Sequence, residues 1–158
     1  MIRVLFVCLG NICRSTMAEA VFQQLVQEAG LTHSIKTDSA GTGAWHIGKP
    51  PHERTARLLL SKGITGYMHH ARQVQRDDFQ IFDYILTMDD ENLADVNSLG
   101  VIGKAVVAPL LEFAPQLEAY EVPDPYYNDR YEEVYDLVSV ACAGLLTAIC
   151  EEHALLLR

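Results

Sequence analysis

The predicted organisation of this chain centres on the stretch Cys8–Ser15, with the sequence Cys-Leu-Gly-Asn-Ile-Cys-Arg-Ser. An apolar run from Ile2 to Val7 leads into it and predicts a buried strand. Apolar residues at helical spacing follow it, and Ser15 stands where it could cap the first turn of that helix. The stretch is therefore predicted to be a short loop between a strand and a helix, with a cysteine at its start and an arginine near its end.

A loop of this kind is suited to binding an anion. It can turn several backbone N–H groups inward, and the helix that follows adds the positive end of its dipole. The same field favours a thiolate over a thiol, which makes Cys8 a candidate nucleophile. The planar guanidinium of Arg14 can bind two phosphate oxygens from the other side of the loop. The predicted phosphate-binding loop consists of Leu9, Gly10, Asn11, Ile12, Cys13, Arg14 and Ser15.

Less specific interpretations of the loop also exist. Free cysteine is often a buried core residue, and a lone arginine is usually a surface charge. Three residues favour phosphate binding: Gly10 permits close backbone approach, Asn11 tolerates left-handed dihedrals, and the Ser15 hydroxyl can bond a thiolate. A nucleotide-binding loop would need Gly-Lys-Ser or Gly-Lys-Thr, which this stretch does not contain.

Length and composition limit the class of protein. The 158 residues suit one domain, 1–158, and contents of 49% hydrophobic and 21% charged residues are typical of a globular chain. Four cysteines are too few for a disulfide scaffold, so a reduced, cytoplasmic setting is expected. The net charge of −9 argues against nucleic acid and anionic membrane as partners. No apolar run is expected to reach the ~20 residues of a membrane span.

Apolar spacing along the rest of the chain predicts strands that alternate with helices. Helices are expected at about residues 16–29, 52–62, 90–98 and 129–153, with another beginning near 77–79. Further strands are expected at about 34–38, 84–88 and 105–108, and a loop rich in Gly and Pro at 39–51. This alternation predicts an α/β fold with an open, mostly parallel four-stranded sheet and helices on both faces. Ligands bind beyond the carboxyl ends of such strands, where the loop after the first strand lies.

A second stretch with chemical character precedes the last predicted helix. In Pro123-Asp124-Pro125-Tyr126-Tyr127, two prolines stiffen the backbone around an acid. A plain turn or helix cap is the simpler interpretation of Asp124, because Asp and Pro are common in turns. A phosphate-transferring site, however, needs a proton donor, and two adjacent tyrosines are of little use to a plain turn. Asp124 is therefore the candidate general acid.

Two other positions allow more than one interpretation. Trp45, the only tryptophan, is either a hydrophobic plug under its loop or part of the wall of a ligand cleft. The pair His69-His70 suggests a metal, but adjacent side chains diverge and no set of Cys or carboxylate ligands accompanies them. Neither a metal nor another cofactor is expected.

Together, Cys8–Ser15 and Asp124–Tyr127 resemble the motifs of low-molecular-weight protein tyrosine phosphatases. The Cys-x5-Arg pattern alone is only moderately specific, but its N-terminal placement together with Asp-Pro-Tyr-Tyr is a strong signal. Thr16 stands where many relatives have Pro, and the stretch after Tyr127 is slightly shorter than in some of them. The resemblance extends over essentially the whole chain and includes Asp38-Ser39, Trp45, His69–Arg72 and Met88-Asp89.

The resemblance implies a metal-independent phosphatase that acts on phosphotyrosine proteins or small aryl phosphates through a phosphocysteine intermediate. Cys8 would attack phosphorus, and Arg14 with the loop N–H groups would stabilise the equatorial oxygens. Asp124 would protonate the departing phenolate and then activate water. The resemblance also implies that Ser39 and His69 would help to hold the loop. The aromatic ring of the substrate would lie in a slot lined by Trp45, Tyr126 and Tyr127.

Three other functions share part of this pattern. Arsenate reductases of the same fold pass a disulfide through further cysteines, but this chain has none between Cys13 and Cys142. Protein-arginine phosphatases usually have Thr at the position of Ile12 and lack the two tyrosines. A binding module for phosphotyrosine would have no need of a nucleophile, an arginine and an acid together.

Cys13 itself has two interpretations. It lies in the same tight loop as Cys8, and a thiolate beside a thiol is prone to reversible disulfide formation. In that case peroxide would inactivate the enzyme and a thiol reductant would restore it. Alternatively, Cys13 simply packs beneath the loop.

Overall fold

A computed structural model describes residues 1–100 and 102–156 of the chain. The strands are β1 (Ile2–Cys8), β2 (Ile35–Gly41), β3 (Tyr84–Thr87) and β4 (Val106–Pro109). The helices are α1 (Arg14–Glu28), α2 (Glu53–Ser61), α3 (Asp78–Ile81), α4 (Asp90–Asn97), α5 (Pro125–Asn128) and α6 (Tyr131–His153). Two short 3-10 helices, Leu110–Phe113 and Pro115–Leu117, follow β4.

The four strands form one sheet in the order β2-β1-β3-β4, and every pair is parallel. The predicted α/β class and four-stranded sheet are therefore confirmed. Because β1 is central and its neighbours run the same way, the carboxyl ends of β1, β2 and β3 meet at one edge. Cys8, the last residue of β1, pairs with Gly41 at that edge.

Both faces of the sheet are covered, which explains why β1 is a continuous apolar run rather than an alternating one. Phe6 belongs to the larger core with α1 and α6, and its ring centroid lies 5.6 Å from that of Phe22. Leu5 and Val7 belong to a smaller core on the opposite face, with Phe79 and other residues near α3 and α4. Burial on both sides holds the end of β1, and hence the loop that follows it, in a fixed place.

Two predicted element boundaries are wrong at the site itself. The first helix begins at Arg14 rather than at residue 16, so Ser15 lies inside it and does not cap it. The Ser15 hydroxyl contacts the loop instead, because the backbone already turns helical at the end of the loop. The second strand continues to Gly41, into the stretch predicted as loop, because pairing with β1 extends that far.

By length and composition alone α6 could cross a membrane, contrary to the expectation that no apolar run is long enough. In the fold it packs against α1 and the first 3-10 helix as the core helix of the larger cluster. The apolar residues of this helix are therefore explained by their burial in the core. Its fully buried residues include Val134, Val138, Ala141, Cys142, Leu145 and Ile149.

Candidate active site

The loop at 9–13 joins β1 to α1 and is shaped by its own carbonyl groups. Since C=O and N–H point in opposite directions across a trans peptide, tying the carbonyls outside turns the N–H groups inward. The first N–H groups of α1 also have no partner within the helix, and together these donors form an anion nest. The carbonyl oxygens of Cys8, Leu9 and Ile12 accept hydrogen bonds of 2.8–2.9 Å from the backbone N–H groups of Thr42, Gly43 and His52.

Thr16 adds a contact of its own to the loop. Its hydroxyl donates to the carbonyl oxygen of Cys13 at 3.0 Å, alongside the helical bond from the N–H of Met17. The carbonyl oxygen of Cys13 therefore accepts from both a side chain and the helix backbone.

The sulfur of Cys8 lies among hydrogen-bond donors. The backbone N–H of Asn11 donates to it at 3.3 Å, and the Ser15 hydroxyl oxygen lies 3.0 Å away. The Asn11 side-chain amide donates to the same hydroxyl oxygen at 2.8 Å, which leaves the Ser15 hydrogen to point at the sulfur. Both donors therefore point at the atom that the sequence identified as the candidate nucleophile.

The side chain of Asn11 makes the hydrogen bonds that join the loop to the residues around it. Its φ of +59° is left-handed, as the sequence suggested that an asparagine could allow. The backbone N–H of Arg72 can only donate, so its 3.0 Å bond identifies the Asn11 carbonyl oxygen, which also accepts from His69 Nε2 at 2.8 Å. The amide nitrogen donates to Ser39 Oγ at 3.0 Å. Ser39 and His69 thus contact the loop directly.

Glu19 is a buried carboxylate that sequence reasoning missed. It is 3% exposed on α1 and accepts hydrogen bonds from the hydroxyls of Ser39, Thr37 and Tyr67 at 2.7–2.9 Å. Burial and the charge of Glu19 raise the pKa of Tyr67. Glu19 follows Ser15 by one helical turn and therefore lies on the same face of α1. This spacing could have indicated that its carboxylate faces the site.

Three potential metal ligands, from Glu19, Asp38 and His69, lie within 4.8 Å of one another. Hydrogen bonds within the protein already account for this arrangement. Glu19 accepts from the surrounding hydroxyls, the Nε2 of His69 contacts Asn11, and Asp38 accepts from the guanidinium of Arg72 at 2.9 Å. The cluster holds Ser39 and His69, the two residues that contact Asn11 of the phosphate-binding loop.

Arg14 is 3% exposed and held by oxygens on two sides. Its Nη1 donates to Asp89 at 2.5 Å and to the carbonyl oxygen of Val122 at 3.1 Å, and Nη2 lies 3.4 Å from Asp124. Although burial alone would lower it, the pKa of Arg14 is raised by the negative charges of Cys8, Asp89 and Asp124. The guanidinium therefore stays charged and fixed beside the loop.

Asp89 was not predicted as a partner of Arg14. Its other oxygen caps α4 by accepting from the N–H of Asn92 at 2.7 Å, so one carboxylate fixes both a helix and the arginine. Asp89 lies just beyond the end of β3, which pairs with β1. The rule that ligands and site residues gather at the carboxyl ends of neighbouring strands could have indicated it.

The sequence left two alternatives for Asp124, a helix cap or a general acid. Its two carboxylate oxygens allow both roles at once. One oxygen caps α5 by accepting from the N–H of Tyr126 at 3.1 Å, with Pro125 in the first turn. The other oxygen is the one that lies near Arg14. The side chain is 24% exposed and lines the cleft, so the second oxygen can reach a bound molecule.

A cleft of about 290 Å³ opens above the loop. Trp45 is 70% exposed and borders this cleft, so its interpretation as a buried plug is wrong. Sequence reasoning missed His46, whose ring packs close to Gly10. A Cβ at position 10 would lie only 3.0 Å from that ring, so glycine leaves the room that the ring needs. The lining residues are Cys8, Leu9, Gly10, Ile12, Cys13, Arg14, Trp45, His46, Asp124, Tyr126 and Tyr127.

Cys13 is 4% exposed, and its sulfur lies 3.7 Å from the hydroxyl of Tyr131. Burial raises its pKa to about 11, so the thiol is neutral at physiological pH. The structure contains Cys8 and Cys13 as free cysteines, and the protective disulfide between them stays a prediction.

Iodoacetate at pH 7 is expected to alkylate Cys8 and to spare Cys13. With a pKa of about 11, only about one Cys13 in 10⁴ is a thiolate at pH 7, and this fraction rises tenfold with each added pH unit. Tandem mass spectrometry can assign the label within the peptide that contains both residues. The Cys8→Ser variant is the control, and rapid labelling of Cys13 in that variant at pH 7 would contradict the prediction.

The sequence of this chain is similar to those of low molecular weight protein tyrosine phosphatases. A family model described as low molecular weight phosphotyrosine protein phosphatase matches residues 3–155. The low molecular weight protein-tyrosine-phosphatase YfkJ of Bacillus subtilis is 47% identical over 156 residues, which are 98% of this chain and 100% of that protein. PtpA of Staphylococcus aureus strain Newman, with the same description, is 41% identical over 154 residues, 96% of each chain.

Solved structures agree with the sequence matches. The crystal structure of YfkJ is similar with a TM-score of 0.93 at 48% identity, covering 96% of each chain. DARP, a Drosophila arginine phosphatase, has a TM-score of 0.85 at 32% identity and covers 92% of this chain and 96% of its own. On the match over residues 3–155 and these identities, this chain belongs to the low molecular weight phosphotyrosine protein phosphatase family.

Proposed function

We propose a mechanism and a substrate class for this protein tyrosine phosphatase. It hydrolyses phosphotyrosine and other aryl phosphate monoesters, with Cys8 as nucleophile, Arg14 as phosphate clamp and Asp124 as general acid and base. The observation that carries the proposal is that all three side chains line the same cleft, above a loop whose Asn11 N–H donates to the sulfur of Cys8.

In the first step the Cys8 thiolate attacks phosphorus in line with the aryl oxygen. An S–P bond forms while the bond between phosphorus and the aryl oxygen breaks. Asp124, protonated at the oxygen that does not cap α5, gives its proton to that aryl oxygen, so a neutral phenol leaves. The equatorial oxygens carry the charge, and Arg14 and the loop N–H groups stabilise it through the transition state.

In the second step water attacks the phosphocysteine. The Asp124 carboxylate takes a proton from the water, the S–P bond breaks, and inorganic phosphate forms. The sulfur leaves as a thiolate, which the hydroxyl of Ser15 and the N–H of Asn11 are placed to stabilise. Because the net charge of the protein is −9, attraction for phosphate depends on these local donors rather than on the overall field.

The aromatic rim supports an aryl substrate. The rings of Tyr126 and Tyr127 meet edge to face, with centroids 5.3 Å apart, and Trp45 borders the same cleft. A tyrosine ring attached to a phosphate in the loop can pack against this rim, whereas a short phosphoserine side chain would not reach it. Phosphoarginine is the second candidate, since the similarity to the Drosophila arginine phosphatase makes it worth a direct test.

Matched peptides that carry phosphotyrosine, phosphoserine or phosphoarginine at one position test the substrate class. We expect kcat/KM for the phosphotyrosine peptide to exceed the others by about 10²-fold, because only its ring uses the rim. Phosphate release should not change with a metal chelator, since Arg14 and the loop supply the positive charge. Faster release from phosphoarginine would transfer the proposal to that substrate, and no release from any peptide would refute it.

We also propose that the protein works in a reducing, cytoplasmic setting, because the mechanism requires Cys8 as a free thiolate. The four cysteines, at positions 8, 13, 142 and 150, are free in the structure, which supports this. Activity measured over a range of glutathione redox ratios tests it: full activity is expected at cytoplasmic ratios, and equal activity under oxidising ratios would contradict it.

A further inference from the structure

The segment that carries Asp124 is held at both of its ends. At the near end, the carbonyl oxygen of Val122 accepts from Arg14 at 3.1 Å. At the far end, Arg54 Nη1 donates to the carboxylate of Asp129 at 2.5 Å, and Nη2 donates to its carbonyl oxygen at 3.3 Å. The active-site arginine thus holds one end of the segment, and an arginine from a different helix holds the other.

Arg54 is placed on the part of α2 that touches the phosphate-binding loop. The backbone N–H of His52, which caps α2, donates to the carbonyl oxygen of Ile12 at 2.8 Å. The ring of His52 in turn accepts from the N–H of Arg54 at 3.1 Å. Any position that Arg54 imposes on Asp129 is therefore defined relative to the phosphate-binding loop.

The guanidinium of Arg54 also packs over an aromatic ring. The central carbon of the Arg54 guanidinium lies 4.4 Å from the ring centroid of Tyr131. The ring of His52 stacks on the same tyrosine, with 5.6 Å between the two ring centroids. Tyr131 is 5% exposed and begins α6, so this contact rests on a fixed surface. A cation–π contact together with two hydrogen bonds gives Arg54 one defined geometry.

Asp129 has a left-handed backbone, with φ +60°. Asp and Asn adopt this conformation more readily than other residues with a side chain, and here it ends the helical turn before it. Asp129 ends α5, the single turn that begins with Pro125 directly after Asp124. A change at Asp129 would therefore shift the turn that carries Asp124 and its neighbouring tyrosines.

We propose that Arg54 is a positioning residue, which sets the place of the Asp124 carboxyl relative to the phosphate-binding loop. The inference rests on the proposed function, because it matters only if Asp124 is the proton donor. The pair is exposed, with side-chain exposures of 47% for Arg54 and 80% for Asp129, and exposed ion pairs add little stability. Its loss should therefore be seen in catalysis rather than in folding.

The experiment compares Arg54→Ala with Arg57→Ala, a matched control. Arg57 is an exposed arginine one turn further along α2, and its carboxylate partner, Glu53, lies on α2 itself. We expect Arg54→Ala to lower kcat/KM by about tenfold for phenyl phosphate, a poor leaving group, and by less than about twofold for 2,4-dinitrophenyl phosphate. Arg57→Ala should match the wild type with both substrates, and both variants should keep the wild-type melting temperature within a few degrees.

Two further measurements separate positioning from a general loss of structure. In an Asp124→Ala background, Arg54→Ala should cause no additional loss, because the group that it positions is gone. Arg54→Lys keeps the charge but not the fork of two donors, so it should lie between wild type and Arg54→Ala, and it keeps the test available if Arg54→Ala does not fold.

An equal loss across leaving groups, a further loss in the Asp124→Ala background, or no loss at all would overturn the positioning role. Failure of the proposed function would look different. The wild type would then release no phosphate, or Asp124→Ala would affect good and poor leaving groups alike.

Discussion

Replacing Cys8 by serine is expected to lower turnover of aryl phosphates by roughly 10⁴-fold or more while leaving the fold intact. A hydroxyl is a far weaker acid than a thiol, and the groups around this atom are donors. The Asn11 N–H and the Ser15 hydroxyl can stabilise an anion, but neither is a base that could take the proton of serine. The nucleophile would therefore remain un-ionised.

The measurement is phosphate release from a phosphotyrosine peptide, together with a thermal melt and a binding titration. Since the nest and Arg14 are unchanged in Cys8→Ser, the peptide should still bind, so the variant should trap substrate. Cys150→Ala, a buried substitution near the end of α6, is the control for cysteine loss and should keep turnover. Turnover by Cys8→Ser near the wild-type rate would rule out the phosphocysteine route.

The second large effect is expected at Asp124. Asp124→Ala should slow departure of poor leaving groups by ~10²–10⁴-fold and of good ones much less, because only a basic phenolate needs a proton to leave. The plot of log kcat/KM against the pKa of the leaving phenol should therefore become steeper than in the wild type.

Asp124→Asn separates this chemistry from the structural role of the same side chain. The asparagine oxygen can still accept from the N–H of Tyr126 and cap α5, but the amide cannot act as the acid. Both variants should show the same steep dependence on the leaving group. Recovery in Asp124→Asn, or equal losses for all leaving groups, would show that the cap rather than the proton matters.

Much of this site could be predicted from sequence because its chemistry is local. The end of β1, the left-handed asparagine and the start of α1 fall within one short stretch, where strand pattern, turn chemistry and helix pattern follow one another. Cys8, Asn11 and Arg14 were identified in this way, and Asp124 from the prolines around it. The alternation of strands and helices was also enough to predict the parallel sheet.

The residues that sequence reasoning missed act across long separations in the chain. Asp89 lies 75 positions from Arg14, and Arg54 lies 75 positions from Asp129. Whether Trp45 is a plug or a wall depended in the same way on what packs around it. No local pattern distinguishes such residues from ordinary surface charges and loop aromatics.

The sequence alone therefore determined the nucleophile loop, the class of fold and the candidate acid, because backbone preference and hydrophobic period act between near neighbours. The tertiary structure decided which carboxylates fix Arg14, how His69 and the Ser39 held by Glu19 contact Asn11, and what holds the segment of Asp124. These contacts exist only once parallel pairing has brought the carboxyl ends of β1, β2 and β3 together. That pairing depends on burial summed over the whole chain, which no single stretch encodes.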